Sequence, residues 1–290
     1  MIGELVHTMT EDHLRLHGFY SASTESVRTV IRSGNCDAAV LLHGLGGNFY
    51  SSRLLSHFSQ TLRQFGISTL IGNTRGHDMI NTSTWGGRAR SNGAAFESVA
   101  DCTYDVQGWV DFLVDKGHSS ILLFGHSLGA IKSIFAQAYK PSPRVKAIIG
   151  LSATRLSYAK LIDSPRGELF RQTIARCQSL IDDKQGDQLI EVPFPFPTWM
   201  TPHGYLAKYG PDEAYNWIRF IDRVDVPTLL LFGQRELDEN PAFVGLRDEL
   251  VELPIQNPSV RVKEILNADH FYASQMSIVD VELEQWLTGY

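Results

Sequence analysis

Short apolar, β-branched runs alternate along the chain with longer segments in which apolar residues recur every three or four positions. The runs are AAVLL (38–42), ISTLIG (67–72), SILLF (120–124), VKAIIG (145–150), VPTLLLF (226–232) and VRVKEIL (260–266). Continuous rather than alternating apolarity suits strands buried on both faces of a parallel sheet. LRLHGFY (14–20) and VRTVIR (27–32) add a candidate antiparallel pair at the sheet edge, giving eight strands. Between the strands, 50–65, 98–116, 128–139 and 277–288 carry the spacing of surface helices. Val99, Tyr104, Val106, Val110, Phe112 and Leu113 mark one of them, which stops before Gly117. This alternation predicts an α/β fold: a mostly parallel eight-stranded sheet flanked by helices.

Two stretches break the rhythm. Residues 73–96 form a long polar, Gly-rich connection without a clear element, and connections of that length are usually functional or disordered. Residues 152–225 separate two candidate strands by far more than one crossover helix requires. They hold helical runs near 156–163, 166–183 and 211–222, divided by PFPFPTWMTPHGY (193–205). The pattern predicts a small helical cap or lid (152–225) inserted between a first part of the core (1–151) and a second (226–290). The plainer reading is a pair of ordinary helices with a surface loop. Phe194, Phe196, Trp199, Tyr205, Tyr209, Tyr215 and Trp217 either line a pocket beneath that cap or form its own core.

The most informative residues are Gly125-His126-Ser127-Leu128-Gly129. The run ILLF ends just before Gly125 and a helical pattern, LGAIKSIFAQAY, begins just after Ser127, which is the strand–turn–helix setting that a G-x-S-x-G nucleophile turn needs. Such a turn strains the backbone at the serine, and glycines two positions to either side remove side chains that would collide with the adjoining strand and helix. The hydroxyl is lifted clear of the sheet, and the helix N-terminus favours a developing anion there.

With GHSLG at the elbow, HGLGG (43–47) after an earlier strand and NTRGH (73–77) after the next, residues from about 14 to 290 resemble the α/β-hydrolase superfamily. NTRGHD followed by GAAFE and a helix also resembles a branch that includes fungal siderophore esterases; no substrate is carried over from it. Serine needs a base to take its proton, and the base needs an orienting group. The resemblance implies that the base is His270, in LNADHFY between the last strand and the final helix. It places the acid just after the penultimate strand, in LFGQRELDEN (231–240). Counting from Gly233 lands on Glu236 where the family commonly has aspartate; Asp238, two residues on, is the alternative acid. Chain order is Ser, acid, His in either case. The backbone N–H groups of Leu45 and Leu128 are the expected oxyanion donors. His43 is expected to support the oxyanion loop by hydrogen bonding, and His126 to be a packing residue.

Composition narrows the remaining classes. Acidic residues outnumber basic ones 32 to 26, for a net charge of −6, and with no long Lys/Arg run this argues against nucleic-acid binding. There is no HExxH, no Cys/His ligand spacing, no P-loop and no G-x-G-x-x-G, so neither a metal nor any other cofactor is called for. No apolar run approaches the ~18 residues of a membrane span. The opening MIGELVHTMTEDH does not read as a secretory leader, so a cytoplasmic protein is expected, with Cys36, Cys102 and Cys177 as reduced structural thiols. The expected partner is a small-molecule substrate with an apolar or aromatic part. The expected function is a serine hydrolase that cleaves a carboxylic ester or lactone; a thioesterase, acyltransferase or C–C hydrolase would use the same triad. The rival from another class is a non-catalytic small-molecule receptor on the same fold.

Overall fold

The computed structural model describes residues 2–23 and 35–289. β1 (Glu4–Met9) and β2 (Arg15–Ser21) form an antiparallel hairpin, followed by β3 (Ala38–Leu42), α1 (Arg53–Gln64) and β4 (Ser68–Gly72). A second hairpin, β5 (Asn81–Trp85) and β6 (Arg88–Asn92), stands apart from the main sheet. Then come α2 (Cys102–Asp115), β7 (Ile121–His126), α3 (Leu128–Tyr139) and β8 (Val145–Leu151). The next segment contains α4 (Tyr158–Ile162), α5 (Gly167–Asp182), a short hairpin of β9 (Ile190–Val192) and β10 (Thr198–Met200), and α6 (Pro202–Tyr209). β11 (Thr228–Gly233), α7 (Gln234–Glu239), α8 (Leu246–Gln256), β12 (Val260–Ile265) and α9 (Met276–Thr288) complete the chain.

The eight-stranded sheet runs β1-β2-β4-β3-β7-β8-β11-β12, antiparallel at β1–β2 and β2–β4 and parallel from β4 onward. Every residue of β3, β4, β7 and β11 is buried, because helices cover both faces of the sheet. On one face Val110 and Leu113 of α2 and Ile131 and Ile134 of α3 pack against Val40 and Leu123. On the other, Leu55, Phe58 and Leu62 of α1 and Val279, Leu283 and Leu287 of α9 pack against Leu41 and Phe124. Each such side chain contributes roughly 1.5–3 kcal/mol through burial.

The structure departs from the sequence-based expectations at four places. The strand expected at 27–32 lies outside the described residues; β2 pairs with β4 and also with β1, a largely exposed edge strand that carries little apolar signal and was not expected. The stretch 73–96 is not elementless: β5 and β6 meet at Gly86-Gly87, both with positive φ (55° and 77°), as a two-residue hairpin turn requires. The helical run expected at 211–222 reduces to two single 3₁₀ turns, Trp217–Arg219 and Ile221–Arg223. A helix instead occupies 202–209, started by Pro202 at its first position and by the Thr201 hydroxyl, which accepts the Gly204 N–H at 3.0 Å. Among the described residues no helix is long and apolar enough to cross a membrane.

Candidate active site

The parallel strands deliver the site at their C-terminal ends. β7 stops at His126, and Ser127 follows with φ 56° and ψ −122°, outside the ordinary regions for a residue with a side chain. A Cβ at Gly125 would overlap the backbone of Gly129, and one at Gly129 would overlap the carbonyls of Leu42 and His43. Both glycines are therefore required for the turn to pack against the end of β3.

β12 is followed by the segment that carries His270, and β11 by the short helix α7 that carries Glu236. The imidazole Nδ1 lies 2.7 Å from Glu236 Oε2. A carboxylate accepts, so Nδ1 carries a proton, which in the neutral ring leaves the lone pair on Nε2. The other oxygen, Oε1, accepts the Gly233 N–H at 2.7 Å and the Ser152 hydroxyl at 2.7 Å. Tyr272 OH lies 2.8 Å from both Ser152 Oγ and the Leu231 carbonyl. Glu236 is buried and held from three sides. Asp238 is elsewhere: half exposed and paired with Arg247. α7 explains the difference, since its first turn points residue 236 back over the strand end while residue 238 faces out.

His126 does more than pack. Its ring lies 4.8 Å from that of His270, and its Nε2–H donates to the His270 carbonyl at 2.8 Å. Burial, aided by the neighbouring His270, lowers its pKa to about 3.

His43 sits at the end of β3. Its Nε2 accepts the Thr74 N–H at 3.1 Å, so its proton is on Nδ1, which donates to the Gly44 carbonyl at 2.8 Å. Burial and then Lys132 lower its pKa to about 3, which keeps it in this neutral form. The Gly44 carbonyl also accepts the Gly47 N–H at 3.1 Å. In a trans peptide the C=O and the following N–H point opposite ways, so these two bonds turn the Leu45 N–H away from His43. Gly44 itself passes close to the serine: a Cβ there would stand 3.0 Å from Ser127 Cβ and 3.4 Å from its Oγ.

Behind His43 lies a buried charged group. Lys132 Nζ donates to Thr74 Oγ1 at 2.8 Å and to Glu97 Oε2 at 2.7 Å. Lys208 Nζ donates to the carbonyls of Ala94 (3.0 Å) and Glu97 (2.9 Å) and stands 3.9 Å from Glu97 Oε1. Burial opposes the charge on Glu97, but Lys132 and Lys208 outweigh it and hold its pKa below the ordinary value. Burial lowers Lys208 to about 8 despite Glu97.

Ser127, Leu45, Leu128 and His270 line one cavity of about 560 Å³, a volume typical of small-molecule sites. Phe194, Phe196 and Tyr209 of the segment between β8 and β11 line it too, whereas Tyr205, Tyr215 and Trp217 are buried outside it and Trp199 is half exposed. Cys36, Cys102 and Cys177 are buried free thiols away from the cavity, and burial raises the pKa of each. Among the described residues no group of three or more His, Cys, Asp or Glu side chains is placed to hold a metal ion.

The family model for the alpha/beta hydrolase family matches residues 39–277. The chain belongs to the alpha/beta hydrolase family. Solved structures of this fold include Est1E from Butyrivibrio proteoclasticus, 16% identical over 99% of this chain and 98% of that one, with a TM-score of 0.65. They also include the esterase Pf2001 from Pyrococcus furiosus (16% identical, 100% and 91% covered, TM-score 0.64) and the carboxylesterase CesB from Bacillus subtilis (17%, 100% and 93%, TM-score 0.58). At these identities the likeness is one of fold. No curated protein sequence matches the chain significantly.

Sequence reasoning missed Ser152, Tyr272 and the Lys132–Glu97–Lys208 group in this alpha/beta hydrolase. A signal existed for one of them: Lys132 is the lone charge within LGAIKSIFAQAY.

Proposed function

We propose that the protein is a serine hydrolase acting on a carboxylic ester or lactone. The observation that carries this reading is the 2.7 Å contact between His270 Nδ1 and the buried Glu236, with His270 lining the same cavity as a serine held at positive φ. Ser127 Oγ attacks the acyl carbon and its proton passes to His270 Nε2. Glu236 holds the ring in the required tautomer and stabilises the imidazolium. The Leu45 and Leu128 N–H groups, the latter at the N-terminus of α3, receive the oxyanion, each worth about 3–4 kcal/mol in the transition state. Nε2–H then protonates the leaving alcohol as the C–O bond breaks, and water activated by the same nitrogen releases the acid. The segment 152–225 acts as a cap whose Phe194, Phe196 and Tyr209 restrict what enters.

A fluorophosphonate probe tests this reading. The wild-type protein should label on Ser127 and hydrolyse 4-nitrophenyl esters. Ser127→Ala should fold, fail to label and lose about three or more orders of magnitude in turnover. A folded Ser127→Ala protein that kept most of the esterase activity would sink the mechanism.

A further inference from the structure

The cavity around Ser127 carries charge of one sign. Arg155, Arg166 and Lys208 line it and no Asp or Glu among the described residues does, although acids outnumber bases in the chain as a whole. Compensation of those cations is incomplete. Arg166 donates Nη1 to the Pro195 carbonyl at 2.6 Å and Nη2 to the Pro193 carbonyl at 3.0 Å, and stacks 5.4 Å over Phe194. These are neutral partners, so its full charge remains, with N–H donors to spare. Lys208 shares the single carboxylate of Glu97 with Lys132, so that group is positive overall. Arg155 is paired with Glu249, yet its Nε–H is buried without an acceptor among the described residues, a donor open to a water or to a ligand oxygen. Glu236 lies behind His270 and does not line the cavity. The cavity is otherwise lined largely by apolar groups, Leu156, Leu161, Phe194 and Phe196 among them, with a few neutral polar side chains such as Asn48 and Thr154.

We propose that the substrate is an ester carrying a carboxylate, separated from the scissile bond by an apolar spacer and received by Arg166. Arg155 Nε–H is a second donor, and the Lys132–Glu97–Lys208 group adds its field. This rests on the serine-hydrolase reading of the same site. A guanidinium presents parallel N–H groups that match a carboxylate, and in a largely apolar cavity its charge is weakly screened.

Two matched pairs of esters test it: mono-4-nitrophenyl adipate against 4-nitrophenyl hexanoate, with the charge on the acyl side, and 4-acetoxybenzoate against its methyl ester, with the charge on the alcohol side. At low salt, kcat/KM for at least one anionic ester should exceed that of its neutral partner about tenfold or more. About 0.5 M sodium chloride should shrink that ratio. Arg166→Gln should abolish it and Arg166→Lys, which keeps the charge but not the paired N–H groups, should retain only part of it. Wild-type ratio and salt dependence decide the matter even if a variant fails to fold. Ordinary turnover of both neutral esters with no anionic advantage overturns the carboxylate proposal alone. No turnover of any ester, with Ser127 unlabelled by a fluorophosphonate, overturns the hydrolase reading as well.

Discussion

Replacing Glu236 by Gln changes one atom at the centre of the proposed triad, and the structure dictates which way the amide must sit. Oε1 accepts the Gly233 N–H, a group that can only donate, together with the Ser152 hydroxyl. The amide oxygen is therefore held on that side and the NH₂ is turned toward His270 Nδ1, 2.7 Å away in the native protein. Two donors cannot face each other, so Nδ1 must give up its proton and become the acceptor. The proton moves to Nε2, the nitrogen that has to take the serine's proton. The base is then in the wrong tautomer and its imidazolium has no counter-charge. Other triads lose about 10⁴-fold for this change, or about 5.5 kcal/mol of barrier, and the same loss in kcat is expected here. With the Oε1 contacts retained, stability should fall by no more than about 1.5–3 kcal/mol, the worth of one charge-assisted bond. The assay is hydrolysis of a neutral 4-nitrophenyl ester near pH 8, with the rate of fluorophosphonate labelling and a thermal melt on the same sample. Asp238→Asn is the control. It removes only a half-exposed pair with Arg247, worth about 0–1 kcal/mol, and activity should stay within about twofold. A folded Glu236→Gln enzyme within about tenfold of wild type, or a crippled Asp238→Asn, would refute the assignment of the acid.

Glu97→Gln leaves the buried Lys132 ammonium without its counter-charge and removes the group that keeps Lys208 protonated, which should cost about 3–5 kcal/mol; at about 0.6 kcal/mol per degree for a chain of this length, the melting temperature should fall by about 5–8 °C. A change under about 2 °C by scanning calorimetry would show that the charges are compensated elsewhere. Acid should destabilise the fold early: His43 and His126 have pKa values lowered to about 3, chiefly by burial, so the unfolded chain binds protons that the folded one refuses. Stability is lost as pH falls from about 6.5 toward 3, by about 4 kcal/mol between pH 7 and 5 for the pair. Urea midpoints that do not move between those pH values would contradict their neutral burial.

The parts of the molecule visible in the sequence are those where one local signal suffices. Buried parallel strands are continuous apolar runs, and β3, β4, β7, β8, β11 and β12 lie within a residue or two of where those runs placed them. The edge strand β1 and the exposed hairpin β5–β6 bury little, so hydrophobic periodicity is silent there; Gly86-Gly87 was the available clue to the hairpin. The end of β11 was legible, but the choice between Glu236 and Asp238 as the partner of His270 was not. It depends on the chain entering a helical turn immediately after Gly233, and GQRELDEN carries no apolar pattern to announce one. Ser152 and Tyr272 were invisible for a different reason. Each acts through a contact with Glu236 or with each other, across 84 and 120 positions, and a lone serine or tyrosine in sequence carries no trace of such pairing.

The geometry of the site follows from sheet order more than from any motif. HGLGG and GHSLG are about eighty residues apart, yet β3 and β7 are neighbours, paired in parallel with Leu42 opposite Gly125. Parallel pairing makes both strands end at the same edge and in register, so the chain leaving β3 as His43-Gly44 meets the chain leaving β7 as His126-Ser127. A Cβ at Gly44 would come within 3.0 Å of Ser127 Cβ, so no more room separates these two segments than two backbones need. β8 then brings Ser152 to that edge from the next position, and β11, beside it, brings Glu236. His270 follows β12 at the sheet's border, and its carbonyl is tied back to the elbow by His126. A displacement at the end of β3 or β7 is therefore transmitted directly to the other, with no flexible side chain between to absorb it. That rigidity lets the positive φ at Ser127 persist. The strain costs of order 1–3 kcal/mol, and the fold retains it because the glycine contacts and paired strands leave the serine no relaxed alternative.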